Sequence, residues 1–482
     1  MLPQVSLKDY DGLNGFGASS MNDVNELTKA LSAGYQTSGQ TGGSALRVES
    51  LESSLKVVTF TNKHIKLWKK IPKSAAYSTV EEFNVLSSYG STGFGFTREG
   101  EIPQSQDSTY TRQTALVKFI GTTRSVTHPA TLVNPAHGDV IALENQNGIL
   151  WLLERTEDAL FHGNSSLAFD GESEQFDGLD SLISSGNVID LEGQPLQEAD
   201  IEEAANQVIE SFGYPTDMYL GTRAMSDLVK TFYPRERINL PAPADGQVGL
   251  AVNSMATQAG NIEFNPNVFI KQAKSPPSAA TSVNAPATPK AFASLTVGSA
   301  ETANWSKLLG TPSGDNNFAY AVTAANRFGE SAPVLSSAQA VSAVQAAAGN
   351  PVTFNITNAD AIGANPPEYY IVYRTNSLGT STTVPTSVSS FSEIARVRCT
   401  SQAAGGAGAS VVDNNVNLPF TETAYLGELT PSVLTFRQLA PLMRMDLAVL
   451  APAYRWMILM YGTPILFAPA KWTRLINVGR IS

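Results

Sequence analysis

The chain has 482 residues, with 42 % hydrophobic and only 16 % charged side chains and a formal net charge of -11. That excludes bulk disorder, because apolar content is high and charge density low, and it excludes a surface that draws in polyanions everywhere. A single cysteine, Cys399, rules out an intrachain disulfide and a cysteine-rich zinc site.

The opening MLPQVSLKDYDGLNG lacks a basic start followed by an apolar run, so no secretory signal is expected. A short helix is predicted at Met21–Leu31, with Ser20 as N-cap, and a flexible stretch at Tyr35–Ser44. Lys56–Tyr77 reads as extended and basic, carrying Lys63, His64, Lys66, Lys69, Lys70 and Lys73. It is either a solvated face or an arm laid on an acidic surface. Phe94–Arg124 is predicted as one long hairpin. Both faces of its return strand mix polar and apolar residues, so it needs something to lie on.

A long helix is expected from Asp139 to His162, with Gly163 as its stop, on an apolar stripe through Val140, Leu143, Leu150, Leu153, Leu160 and Phe161. A second helix spans Leu196–Phe212 on Ile201, Ala204, Ala205, Val208, Ile209 and Phe212. A strand at Met218–Leu220 and a helix at Arg223–Phe232 follow, which makes this part a mixture of helix and strand. Near residue 275 a Pro/Ala/Ser linker begins, and residues 276–420 hold only 13 charges. Short alternating runs there, such as Phe318–Asn326 and Pro367–Thr375, predict an all-β sandwich. Beyond Thr421 the chain turns charged and apolar again, so the sandwich reads as inserted into a discontinuous parent domain. The apolar stretch Leu439–Ala470 is broken by Arg444, Asp446, Arg455 and by prolines such as Pro441, Pro452 and Pro464, and reads as protein core rather than a membrane span.

Enzyme signatures are missing: there is no GxxxxGK[ST], HExxH or GxSxG, and no histidine pair at metal-ligand spacing. The acidic run Asp170–Asp180 does not fit a calcium loop, since Gln175 and Ser181 stand where glycine and glutamate are needed. Residues 139–210 carry 17 acidic side chains and one basic one, Arg155. That concentration is a solvated face, a surface repelling polyanions, or a seat for the Lys63–Lys73 arm.

Leu143–Leu167, with Phe176–Leu179 and Ile183 after it, resembles the spine-helix region of tailed-bacteriophage major capsid proteins. Phe436–Gly479 resembles the closing segment of the same family, with Ala453–Arg455, Tyr461–Thr463 and the APAK turn Ala468–Lys471. The resemblance implies an α+β, Hong Kong 97-type capsid fold. Its parts would be an N-terminal arm (1–77), an extended hairpin loop with flanks (78–130), peripheral and axial domains (131–275 and 421–482), and the inserted sandwich (276–420). YAVTAANRFGESAPV is similar to a hairpin of fibronectin type III and other immunoglobulin-like domains. The implied function is a shell subunit forming hexamers and pentamers of an icosahedral head in the virion, assembled in the host cytoplasm. It would enclose double-stranded DNA without sequence-specific contact. Scaffold, portal and decoration proteins are the other implied partners, with no membrane, cofactor, metal or catalytic residue. Inter-subunit contacts would fall on Lys66, Lys69, Lys70, Phe94, Arg98, Arg112, Lys118, Glu154 and Glu157. Some family members cross-link a loop lysine to a neighbour's asparagine, for which Lys118 and Asn477 are candidates. The competing expectations are a cellular nanocompartment (encapsulin-like) shell and a polysaccharide-binding or hydrolysing protein.

Overall fold

The computed structural model describes residues 59–90, 95–103, 105–133, 138–169, 175–236, 252–270, 274–290, 292, 295–299, 303–305, 316–449 and 451–481. The helix expected at Met21–Leu31 and the stretch Tyr35–Ser44 lie outside them. Two compact units are distinguished. The first comprises residues 1–58 and 129–140, and its described part carries most of a short helix, His128–Leu132. The second comprises residues 59–128 and 141–482 and has a mixed α+β architecture.

The second unit is organised around a six-stranded sheet in the order Val188–Asp190, Trp472–Val478, Glu422–Gly427, Asp217–Gly221, Gly260–Asn267, Ser254–Thr257. Alternation along its strands serves two cores. Met218, Leu220, Ala424, Leu426 and Leu475 pack with Ile201, Ala204 and Ala205 of the helix Glu198–Glu210 and with Leu228 of the helix Thr222–Glu236. Tyr219, Tyr425 and Trp472 pack instead with Leu152, Leu160 and Phe161 of the long helix Val140–His162. The sheet is thus buried on both faces. Strands from before and after residues 276–420 lie side by side in it, since Glu422–Gly427 pairs antiparallel with Asp217–Gly221.

The long helix forms where its periodicity placed it, but its buried stripe is Gly148, Leu152, Thr156, Glu157, Leu160 and Phe161, not the Leu150 and Leu153 positions. At Gly148 a Cβ would press on the end of the Ile458 side chain. The expected stripe of the second helix holds at Ile201, Ala204, Ala205 and Val208 but ends before Ile209 and Phe212. Phe212 is 89 % exposed, since it takes a left-handed conformation (φ 61°) as Gly213 N–H bonds back to Val208 at 2.9 Å.

Two expectations need correcting before the body. Lys56–Tyr77 is not simply extended: a 3-10 turn at Asn62–His64 and a helical turn at Leu67–Lys70 precede a strand at Lys73–Ala75. The hairpin is not Phe94–Arg124. Val80–Ser88 pairs with Thr109–Leu116, from Val80 opposite Leu116 outward. The chain then passes the buried Val117, and Lys118–Thr127 pairs with Ala453–Leu466 in another sheet. That second sheet runs Lys73–Ala75, Leu434–Asp446, Ala453–Leu466, Lys118–Thr127. No turn residue separates the two strands around Val117, so alternation alone ran them together.

The described residues between 296 and 413 form a β-rich module. Tyr320–Asn326 pairs with Tyr369–Arg374, which pairs with Ser392–Arg398; a three-stranded sheet (Ala407–Asp413, Val352–Thr357, Thr296–Val297) faces them. Tyr320, Val322, Ala324, Tyr370 and Val372 share a core with Val352, Phe354, Ile356, Ala409 and Val411 of the facing sheet. The other face of Tyr320–Asn326 is covered too, with Ala319, Ala321 and Ala325 packing against Ile371, Tyr373 and Phe391. Asn326 Oδ1 accepts Phe328 N–H and Gly329 N–H at 2.9 and 3.1 Å, which fixes the hairpin turn.

Candidate assembly surfaces

The ribbon Val80–Ser88/Thr109–Leu116 is the most exposed regular element. Every residue of Thr109–Thr114 is exposed, as predicted for a strand with no core face of its own. Beyond its end stand Tyr89 at 87 %, Phe96 at 92 % and Ile102 at 92 % exposed, with Tyr110 at 69 %. A two-stranded ribbon is marginal in water unless packed. Among the described residues it is held at its base, where Phe83 meets Phe467 edge-on at 5.0 Å and Val117 is buried. Beside the base lies a cavity of about 1050 Å³, walled by Val80, Phe83, Leu116, Phe119, Phe176 and Ile465 and reached by Lys118, Asp177 and Arg327.

The predicted contact residues separate into surface and interior. Arg98 is exposed near the ribbon end, and Arg112 pairs loosely with Glu82 across the ribbon at 3.4 Å. Lys118 lines the cavity and Glu154 is half-buried on the long helix. Lys69 is exposed and its ammonium bonds Asn62 O. Phe94 lies outside the described residues. Lys70 is engaged within its own chain, at 2.9 Å from Asp217 and 2.7 Å from Glu263.

Glu157 departs furthest from a surface role, being fully buried. Its carboxylate accepts Lys66 N–H at 3.0 Å, Leu67 N–H at 2.7 Å, Trp68 N–H at 2.8 Å and Asn267 Nδ2–H at 2.6 Å. Burial pushes this carboxyl above its usual range, and the four donors pull it back only in part. The acidic stretch therefore does receive the basic segment, but at Glu157 it does so through peptide N–H groups, which a count of lysines does not reveal.

A second, half-buried cluster ties the turn after the long helix to the closing strand. Asp180 bonds His162 Nδ1 at 2.7 Å and accepts from Tyr425 Oη at 2.8 Å and Arg474 at 2.9 Å. Burial works to raise the Asp180 carboxyl, but His162, Arg474 and Tyr425 outweigh it and hold it well below the usual range. The β-module is seated beside this cluster. Arg398 donates to Phe169 O at 2.5 Å, Glu393 N–H to Lys274 O at 2.9 Å, and Phe169 packs against the module's core. Nothing in the sequence pattern singled out Asp180 or Phe169; only the folded neighbourhood does. Asn477, a candidate cross-link partner, is 2 % exposed and held by Asp190, Val416 O and Leu418 N–H, so it is not available at the surface. Among the described residues no cluster of His, Cys, Asp and Glu is arranged to hold a metal, and no helix is long and apolar enough to cross a membrane.

The described residues thus combine an α+β body with an exposed ribbon, acids tied within the chain and a β-rich module. Residues 60–285 match the family described as SU10 major capsid protein. The chain is 26 % identical over 468 residues to the major capsid protein of Staphylococcus phage K, covering 95 % of this chain and 96 % of that one. It is 28 % identical over 464 residues to a chain of Enterococcus phage phiEF24C, with 95 % of each covered. Over nearly its whole length the chain is thus similar to major capsid proteins of bacteriophages. Looser likenesses in solved structures include an encapsulin complex of Synechococcus elongatus PCC 7942 (TM-score 0.43, 9 % identity, 90 % of this chain and 93 % of that one) and the capsid of a native GTA particle (TM-score 0.41, 10 % identity, 92 % and 99 %).

Proposed function

We propose that this subunit assembles into the hexamers and pentamers of an icosahedral head that encloses double-stranded DNA. The near end-to-end match to phage major capsid proteins carries the reading, and the uncovered ribbon supports it. The fold is then of the Hong Kong 97 type. Residues 1–77 are the arm, 78–130 the extended loop with its flanks, 131–275 and 421–482 the peripheral and axial domains, and 276–420 an immunoglobulin-like insertion. The ribbon rides on a neighbouring subunit, with Arg98, Arg112, Lys118, Lys69 and Glu154 near the contacts. Glu192, Glu202, Glu203 and Glu210 are exposed and suit an inner face that packs DNA without adhering to it. Scaffold, portal and decoration proteins are the remaining partners, and assembly takes place in the host cytoplasm. Electron microscopy of the purified chain tests the proposal. Closed shells of uniform diameter are expected, alone or with a scaffold; a protein that stays monomeric under both conditions would overturn it.

A further inference from the structure

We propose that the cavity between the end of the long helix and the β-module binds hydrogen phosphate. The site does not depend on the shell reading. The cavity, about 240 Å³, is walled by His162, Asp180, Lys274, Glu393, Arg396 and Arg474. That is several times the share of about 30 Å³ that one liquid water takes, so a tetrahedral oxyanion fits with water beside it. Two nitrogens of the wall residues, His162 Nε2 and Arg474 Nε, are buried and have no hydrogen-bond partner among the described residues. The His162 side chain is 7 % exposed. A buried polar atom without a partner is costly, and a ligand that meets both nitrogens removes that cost.

The two nitrogens decide the chemistry. Asp180 Oδ2 stands 2.7 Å from His162 Nδ1, and the Asp180 carboxyl is held well below its usual range. The carboxylate therefore accepts, Nδ1 carries the ring proton, and Nε2 of the neutral ring presents a lone pair. Arg474 Nε–H can only donate. One molecule must then offer an acceptor oxygen to the arginine and an O–H to the histidine. Hydrogen phosphate offers both, whereas sulfate and a phosphodiester lack the O–H. Charge agrees, with Lys274, Arg396 and Arg474 set against two wall carboxylates. Both carboxylates are already engaged, Asp180 by His162, Tyr425 and Arg474, and Glu393 by Arg396 Nε at 2.7 Å. Two further charges of the long helix bear on the site: Asp158, 3.5 Å from the Lys274 ammonium, and Arg155. His162 and Arg474 belong to the α+β body, while Glu393 and Arg396 lie on the strand Ser392–Arg398 of the β-module. The bound anion thus pins the module to the body.

Titration calorimetry of the purified full-length chain at pH 8 and matched ionic strength tests this. Sodium phosphate should bind saturably, and sodium sulfate at least about tenfold more weakly, because sulfate leaves Nε2 unmet. A short single-stranded oligonucleotide should not compete, which separates free phosphate from a nucleic-acid backbone. His162→Asn keeps an N–H for Asp180 and removes the Nε2 acceptor, so it should abolish the preference for phosphate over sulfate. Arg474→Lys keeps the charge and removes the Nε donor, so it should weaken both anions. Absent phosphate binding, equal affinity for the two anions, competition by the oligonucleotide, or phosphate binding untouched by both variants (an adventitious ion only) would each overturn the proposal. Should the variants not fold, amide hydrogen exchange of the unmodified chain decides. Phosphate, and not sulfate, should slow exchange in residues 393–397; no difference between the two anions there refutes the assignment.

Discussion

Replacing Glu157 by alanine should release the segment that precedes the ribbon. The substitution removes the acceptor for three backbone N–H groups and the Asn267 amide. Leu67 N–H and Asn267 are buried, whereas Lys66 and Trp68 are half-buried and regain water. Two buried orphan donors cost about 1–3 kcal/mol each, so the loss is about 3–5 kcal/mol once the relief of burying a charge is set against the extra hydrogen bonds. Glu157→Gln keeps one acceptor oxygen but turns an NH₂ group toward a donor, and should lose about half as much. Leu67 and Ile71 belong to the main core, so opening would also loosen Lys73–Ala75 from its sheet. Amide hydrogen exchange over residues 65–76, alongside denaturant unfolding, measures both effects. Unchanged protection of Lys66, Leu67 and Trp68 in the alanine variant would refute the reasoning.

Acid titration should separate the half-buried Asp180 from the buried Glu157. Asp180, held low in the fold, contributes stability that is present above its unfolded value near 3.8 and lost as pH falls through its folded one. Glu157, raised in the fold, contributes stability that is full below about 4.5 and declines as pH rises through its folded value. Wild type should therefore weaken below pH 3.8, and Asp180→Asn should flatten that limb of a stability-against-pH curve. In the β-module, Arg374 and Asp413 form a 2.6 Å ion pair with side chains 2 % and 5 % exposed. Asp413→Ala should cost about 3–5 kcal/mol by stranding the guanidinium, and R374M/D413L much less, as read by thermal melts of the pair. Gly427→Ala drives a Cβ into the Trp472 ring and should cost about 1–3 kcal/mol. Denatured, boiled particles should run only as 51.3 kDa chains, since Asn477 is enclosed; higher bands linked through Lys118 to Asn477 would contradict its burial.

Local periodicity carried the elements whose partners lie along one face. The helix Val140–His162, the helix Glu198–Glu210 and the strand Asp217–Gly221 were all legible because burial imposes a 3.6- or two-residue rhythm. The rhythm failed where it continued across a change of partner, as at Val117, where one unbroken alternation serves a free ribbon and then a packed sheet. It was also blind to Glu157. An acid on a helix is read as surface by type, and only tertiary contact shows it spent on peptide N–H groups 90 residues away. Most candidate contacts were read from charge; the structure turned Lys70 and Glu157 inward and left Arg98 and Arg112 exposed.

The interleaving of the six-stranded sheet has a consequence for synthesis. Asp217–Gly221 and Gly260–Asn267 leave the ribosome first, yet Glu422–Gly427, which covers the open edge of Asp217–Gly221, emerges only after the whole insertion. At ribosomal speeds of about 5–20 residues per second, that edge waits for roughly 10–30 s. The β-module can fold in that interval and draw its own ends together, shortening the effective loop that the late strand must close. A variant that slows folding of the β-rich residues between 296 and 413 should therefore aggregate on the ribosome before any finished chain is weakened.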